Sequence, residues 1–533
     1  MPAERWLLLR AGRTRGREGM TGQGGSGLRQ ADPADGGAGR LARNRLGVTG
    51  IVFFVVAAAA PLVGMTGAVP IAIVLGDGAG APGAYLAVGL VLLIFSVGYS
   101  AMSHRVTNTG AFFAYVGRGL GVAPGVGSAF VSLFAYMVIQ LAVFGFFGAV
   151  MARQMDTELG IDLAWWAWAL IAWALVLALS ALSVDIGAKV LGLLMVLEVL
   201  SLALVAVAVL LDGGGPDGMS PASSFSPGNI FAGGFTGSAG IALAFAFASY
   251  IGFEATAIYG EETRDPKRSV PRATYIAVSL IALLFAFTSW AVVSGLGSDT
   301  VADRVAEIST VDGTPLADPA AVLFAVAKEY VGGWLATLMS WLVLSSLFAG
   351  LLAFQNSAAR YVFSMARAGV LPAALGRVNG RGAPVLGTAA VAVVSLVVIV
   401  LFRVTGRDPV VHLFTWFSAV AVLGIVLVEI LVSAAVIVYF RREDRSERVW
   451  STLVAPAVAI VGLALGMYLL MSRFGLMAGT AAKGADPAKE SWSLSPLGWF
   501  LAMLPFLVLA IGMAVGAVRR KRENSQAMAD LVT

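Results

Sequence analysis

Residues 244 to 273 read AFAFASYIGFEATAIYGEETRDPKRSVPRA, and this stretch decides how the chain is interpreted. An apolar stretch carries Glu254 two residues after Gly252 and then runs into a charged turn. The next apolar stretch starts at Pro271. Because an ionisable side chain is costly inside a membrane-length apolar segment, Glu254 is a candidate functional residue. The alternative is a structural role in which its carboxylate only satisfies nearby backbone donors.

The composition indicates a helical membrane protein with many spans. Hydrophobic residues make up 58% of the 533 residues and charged residues only 13%, about half the charged share of a soluble domain. A spanning helix needs about 20 mainly apolar residues, and continuous apolar runs of this length cross lipid as helices. The fold predicted is an all-α polytopic membrane protein. Its twelve transmembrane helices are expected near residues 47–76, 83–103, 123–152, 163–183, 186–211, 236–260, 272–296, 332–357, 385–404, 411–440, 451–472 and 496–518.

The distribution of lysine and arginine predicts the orientation of the chain. Basic residues cluster before the first span, in alternate loops and after the last span, which places both termini in the cytoplasm of a protein in the cell membrane. The predicted regions are a disordered basic tail over 1–45, a ten-helix transport core over 46–440, peripheral helices 11 and 12 over 449–518 and a tail over 519–533. The net charge of +5 reflects this topology, so the lipid bilayer is an expected partner and nucleic acid is not.

Two spans are interrupted by glycine and proline, the first around residues 61–70 and the sixth around residues 248–252. They open two successive blocks of five helices. Interruptions at corresponding positions of two halves indicate an inverted-repeat transporter with its site near the middle of the membrane. The alternative is that these residues only permit kinks or close packing. We predict non-helical backbone near Gly64–Gly67 and near Ala248–Ile251.

Three segments resemble signatures of the amino acid–polyamine–organocation (APC) superfamily of permeases. They are Ile251-Gly-Phe-Glu254 with the EETRDPKR and PRA that follow, the stretch from Arg360 to Pro384, and the stretch from Asn108 to Gly121. The resemblance extends over residues 46 to 518. It implies two intertwined five-helix inverted repeats, as in the leucine transporter fold, with two peripheral helices. It also implies secondary transport of amino acids or related amines by alternating access.

The resemblance further implies a substrate site between the two interrupted spans. The positions that match are Gly64, Met65, Thr66 and Gly67, with Ala248, Ser249 and Ile251 opposite. Phe247 matches an aromatic gate, and its alternative is packing against lipid or a neighbouring helix. Tyr136 and Gln140 share one face of the third span. Gln140 matches a substrate-contacting position, and its alternative is a hydrogen bond between helices.

Buried acids suggest how transport is coupled. Glu198 lies in the fifth span, where many relatives carry a lysine, and desolvation favours the protonated form of a buried carboxylate. We predict that Glu198 and Glu254 couple transport to protons, and that Glu198 contacts the first break and Ser345 or Ser346. A sodium site formed with these two serines is the alternative. Glu429 in the tenth span is expected to be structural.

The sequence disfavours enzymes and channels. Its two histidines, His104 and His412, are far apart, cysteine is absent, and no phosphate-binding glycine loop is present, so no cofactor is expected. No predicted helix has the repeated polar face of a pore. The sparse charge favours a zwitterionic amino acid as substrate, whereas Glu198 and Glu254 are compatible with polyamines or other organic cations. Nothing separates symport from exchange.

Overall fold

A computed structural model of the chain describes residues 41, 46–106, 110, 112–181, 184–380, 382–443 and 447–522. These residues are folded into helices and loops, with isolated β-bridges and no strand among them. The predicted tails lie outside the described residues, apart from Leu41 and the segment up to Arg522. In chain order the α-helices are α1 Val48–Ala59, α2 Pro61–Val74, α3 Ala81–Ser103, α4 Phe112–Leu120, α5 Val122–Leu159, α6 Trp165–Ala181, α7 Val184–Asp212, α8 Pro221–Phe225, α9 Pro227–Ile230, α10 Ser238–Ser249, α11 Pro266–Leu296, α12 Val301–Ser309, α13 Ala320–Tyr330, α14 Gly333–Arg367, α15 Val385–Val404, α16 Thr415–Arg442, α17 Ala455–Ser472, α18 Phe474–Met477 and α19 Pro496–Arg522.

Most of the predicted spans are present. Within the described ranges, 11 helical stretches are long and apolar enough to cross a membrane. The predicted span over 163–183 corresponds to α6, which has 17 residues and is therefore at the short end of the spanning range. An all-helical membrane fold is confirmed. Twelve crossings and the inverted repeat stay predictions.

The first interrupted span folds as two helices that meet at Ala60. This residue has φ 43° and ψ 63°, in the left-handed region, and Pro61 starts α2 at once. Proline disfavours the α-helical conformation of the residue before it, yet is well accepted at a helix start. The prediction of non-helical backbone at Gly64–Gly67 is therefore wrong, because those residues lie inside α2. The proline determines where the break falls.

The sixth span is interrupted where the sequence predicted, although slightly later. The helix α10 ends at Ser249, so Ala248 and Ser249 form its last turn, and a 3₁₀ helix follows over Phe253–Glu262. Between them Gly252 has φ 110°. A Cβ atom on this residue would lie 2.6 Å from Ala58 Cβ, so glycine is needed for both the conformation and the approach. The two breaks are in direct contact.

The outer flanks of the two broken spans are also joined. The Leu46 N–H donates to Glu262 O at 3.1 Å, and the Arg264 N–H donates to Leu46 O at 3.1 Å. The Glu262 side chain forms a buried, two-pronged ion pair with Arg360 of α14, at 2.6 and 3.0 Å. Glu262 and Arg360 belong to different signature segments, which are thus in contact. The end of the sixth span is held against both the first span and α14.

Candidate substrate and coupling site

Glu254 binds the backbone of the second break inside the helix bundle. Its side chain is 1% exposed, and Oε2 accepts a hydrogen bond from the Gly252 N–H at 2.8 Å. Oε1 accepts a second one from the Tyr136 hydroxyl of α5 at 2.7 Å. Tyr99 of α3 donates to the backbone oxygen of Glu254 at 2.9 Å. The carboxylate therefore satisfies a backbone donor, as the structural alternative requires, and also joins the break to Tyr136, a predicted site residue.

Glu198 of α7 binds the backbone at the first break. It is 2% exposed, and its Oε1 accepts a hydrogen bond from the Leu62 N–H at 2.6 Å. Because Pro61 has no N–H, Leu62 supplies the first backbone donor of α2, and a helix N-terminus favours a negative charge. The expected contact between Glu198 and the first break is confirmed. Each break thus has one buried carboxylate bound to its backbone.

The two serines of the alternative sodium site behave differently. Ser346 is buried on α14, and its hydroxyl makes no hydrogen bond within the described part of the chain. Ser345 donates to Leu342 O of its own helix at 2.9 Å. Of the two serines, Ser346 therefore has the unused hydroxyl, and its contact with Glu198 and its coordinating role stay predictions.

The four predicted substrate residues of α2 have distinct surroundings. Met65 is buried, and the Thr66 hydroxyl donates to Leu62 O at 2.9 Å within the helix. A Cβ atom on Gly64 would lie 2.6 Å from the Phe285 ring and 3.7 Å from Ser249 Cβ. On Gly67 such an atom would meet no described atom within 4 Å. Gly64 therefore packs against its neighbours, whereas Gly67 borders open space.

Two aromatic residues, Tyr85 and Phe285, lie beside Gly64 and Ser249 and were not selected in the sequence analysis. The Tyr85 hydroxyl of α3 lies 3.3 Å from Ser249 Oγ, and its ring stacks on Phe285 of α11 with the ring centroids 5.1 Å apart. The packing brings Gly64, Ser249 and these rings together. Single aromatic residues are common in apolar spans, so no sequence signal distinguished them.

Gln140 and Phe247 match the alternatives raised for them. The Gln140 Nε2 donates to Gln355 Oε1 of α14 at 2.5 Å, which is a hydrogen bond between helices. The Phe247 ring packs against Gly466 of α17, since a Cβ there would lie 2.6 Å from the ring. The same ring lines a small cavity together with Ile251 and Glu429. Substrate contact by Gln140 or Phe247 stays a prediction.

Glu429 has a position that the sequence analysis did not anticipate. It is 1% exposed on α16 and faces the cavity at the second break. Its Oε1 has no hydrogen-bond partner in the described ranges. A carboxyl group that only supported the packing would be expected to have such a partner.

Membrane-length helices with two touching breaks and a carboxylate at each break are typical of membrane transporters. A family model described as amino acid permease matches residues 50–526. The chain therefore belongs to the amino acid permease family, whose members are transporters and not enzymes, and the predicted resemblance is confirmed.

Two relatives illustrate the similarity. The chain is 28% identical over 342 residues to the branched-chain amino acid permease BcaP of Lactococcus lactis, which covers 60% of this chain and 68% of the relative. It is 30% identical over 135 residues to an uncharacterized transporter of Legionella pneumophila, covering 25% of this chain and 26% of the relative.

Proposed function

We propose that this protein is a secondary active transporter that moves amino acids across the cytoplasmic membrane by alternating access. It works as a proton-coupled symporter, with both termini in the cytoplasm. The substrate binds between α2 and the end of α10, with its carboxylate and amino groups at the two breaks. The site comprises Gly64, Met65, Thr66, Gly67, Tyr136, Gln140, Phe247, Ala248, Ser249 and Ile251.

The contact between the two breaks is the observation that carries this proposal. Gly252 touches the first span at Ala58. A conformational change at one break therefore alters its contact with the other break. Glu198 is bonded to the first break and Glu254 to the second. Adding a proton to either carboxylate removes its charge and weakens its bond to the backbone N–H. Protonation thus biases the same hinges that hold the substrate, as coupling requires.

The aliphatic amino acids are the first substrates to test. BcaP is named as a branched-chain amino acid permease. The open space beside Gly67 and the apolar side chains of Met65 and Ile251 suit a zwitterion with a hydrocarbon side chain. Burial of such a side chain contributes roughly 1.5–3 kcal/mol to the free energy of binding. This is enough for the site to bind an aliphatic amino acid more tightly than glycine or alanine.

A transporter of polyamines or other organic cations with the same fold is the second candidate, and an amino acid exchanger is a variant of the first. The observation that favours an amine is the number of buried acids within the spans, namely Glu198, Glu254 and Glu429. A cationic substrate would neutralise one of them.

Uptake into proteoliposomes tests the proposal. Purified full-length protein is reconstituted, and labelled leucine, isoleucine and valine are supplied with the outside acidic, and separately with an inward sodium gradient. We expect saturable accumulation that an uncoupler abolishes and that requires no sodium. Competition by a panel of amino acids and amines then ranks the substrates. Accumulation of an amine but of no amino acid would replace the proposal with the second candidate.

A further inference from the structure

Glu429 is a buried carboxyl group that the proposed cycle does not use. The backbone oxygen of this residue accepts a bond from Ser433 Oγ at 2.9 Å, an ordinary contact within α16. No hydrogen bond to its side chain is present in the described parts of the chain, and Oε1 is fully shielded from solvent. An ionised carboxylate in such surroundings would be very costly unless a cation accompanied it.

The surroundings of Glu429 restrict which cation that is. The cavity is lined by Leu92, Phe247, Ile251 and other apolar side chains. Tyr250 also lines it, but its hydroxyl is used in a bond to Tyr85 O at 2.7 Å. No lysine or arginine belongs to the described cavity wall. The space is about what a single water molecule needs, and Glu429 is the one carboxylate in the described cavity wall. A metal cation needs several oxygen ligands, whereas a proton needs no further ligand, so the site suits a proton.

Two titratable groups lie on the elements packed around this cavity. Glu254 follows the cavity-lining Phe253 in the chain, and Tyr99 of α3 donates to the Glu254 backbone oxygen. Two nearby carboxylates in a medium of low dielectric constant do not both ionise. Both oxygens of Glu254 accept hydrogen bonds, from Tyr136 and from the Gly252 N–H. Hydrogen bonds of this kind favour the ionised form. The proton of the pair therefore belongs on Glu429.

We propose that Glu429 is a proton-binding site, which in this conformation carries a proton while Glu254 is ionised. The cavity is lined by Phe253 and Ile251 of the second break, so rearrangement of that break opens it. The Glu429 O–H bond then breaks, and the proton passes to water as the carboxylate becomes hydrated. Its part in coupling rests on the proposed function, whereas its protonation in this conformation does not.

Infrared spectroscopy tests the protonation directly. Full-length protein in proteoliposomes is titrated with acid and base while the C=O stretching band of protonated carboxyl groups is recorded. We expect the wild type to keep a band at neutral pH that loses one component in Glu429→Gln, while the component from protonated Asp77 remains. The band should be unchanged in Glu158→Gln, an exposed control on α5. Glu429→Asp retains a carboxyl group and should keep a band at a shifted frequency. An identical band in the wild type and Glu429→Gln overturns the proposal.

Transport separates protonation from coupling. We expect Glu429→Gln to exchange substrate across the membrane at a rate close to that of the wild type, and to lose accumulation on a pH gradient. If the Glu429 component of the band is lost but accumulation is unchanged, the coupling role is refuted. If the wild type itself does not respond to a pH gradient, the proposed symport fails, and the infrared result still decides where the proton resides.

Discussion

At the residue scale, the glycines near the two breaks have different physical tasks. Gly252 adopts a left-handed conformation and touches Ala58 of the first span. Gly67 lies within a regular helix, and the position of its missing Cβ is open. One glycine is needed for the fold and the other is free to border a ligand, so substitutions at the two positions should have separable effects.

Gly67→Val is expected to abolish substrate binding while the protein stays folded. A Cβ atom at this position would meet no described atom within 4 Å, so the branched side chain would extend into the open space at the predicted site. Binding is measured as the rise in melting temperature caused by the amino acid that the wild type transports best. Gly333→Val, at an exposed and equally open helix position, is the matched control. Unchanged affinity in a monodisperse preparation would remove Gly67 from the site.

Gly252→Ala is expected to destabilise the protein and to reduce transport together. A side chain at φ 110° is strained, at a cost of about 1–3 kcal/mol, and its Cβ would overlap Ala58. Thermal unfolding in detergent and initial uptake rates are the measurements, with Gly333→Ala as control. A variant as stable and active as the wild type would mean that the breaks need no close contact.

Asp77, between α2 and the helical turn at Gly78–Gly80, predicts a pH dependence of stability. Burial raises the pKa of this carboxyl from 3.8 to about 8, and neither oxygen has a hydrogen-bond partner in the described structure. Since the folded state holds the proton more tightly than the unfolded state, this contribution to stability is complete below pH 3.8 and is lost as the pH rises through about 8.

Asp77→Asn should therefore melt at a temperature close to that of the wild type in acid and above it in alkali. The measurement is the melting temperature across this pH range. Asp162→Asn, which alters an exposed carboxylate on a loop, controls for a general effect of charge. A constant difference between Asp77→Asn and the wild type would contradict the assignment.

At the element scale, the ion pair between Glu262 and Arg360 joins the 3₁₀ helix to α14. Both side chains are buried, so Arg360→Ala leaves an unpaired carboxylate, at a cost of about 3–5 kcal/mol. Arg367→Ala breaks a partly exposed pair with Glu261 and should cost about 1 kcal/mol or less. Melting temperatures provide the comparison. The double variant Glu262→Gln with Arg360→Met should recover much of the loss, and equal effects of the two single variants would refute this ranking.

The elements show what the sequence could and could not predict. Apolar length identified the spans, because a bilayer imposes that length on any helix. The sixth break was found through Gly252, but the first was placed at glycines that lie inside α2, because Pro61 acts on the residue before it. Partners across the bundle, such as Gln355 for Gln140, were not predictable. Composition shows that a face is apolar and does not show which helix covers it.

At the scale of the whole molecule, the packing of the helices determines which buried acids lie at the two breaks. Glu198 and Glu254 were selected because charge is costly in a span, and both are bound to a break. The same criterion applies to Glu429, which the sequence analysis expected to be structural. Only the packing of α16 against the second break revealed its position. The arrangement gives the bundle two hinges in contact, with titratable groups at both, which is what reciprocal coupling between proton and substrate requires.

Glu198→Gln tests coupling in the molecule as a whole. The glutamine oxygen can still accept the Leu62 N–H bond, so the first break should keep its geometry while the group loses its ability to titrate. We expect the variant to bind and exchange substrate but to lose accumulation on an imposed pH gradient. Linkage requires that substrate affinity depends on pH in the wild type and depends on it less in the variant. Exposed Glu158→Gln is the control, and accumulation equal to that of the wild type would move coupling from Glu198 to the acids of the second break or to sodium.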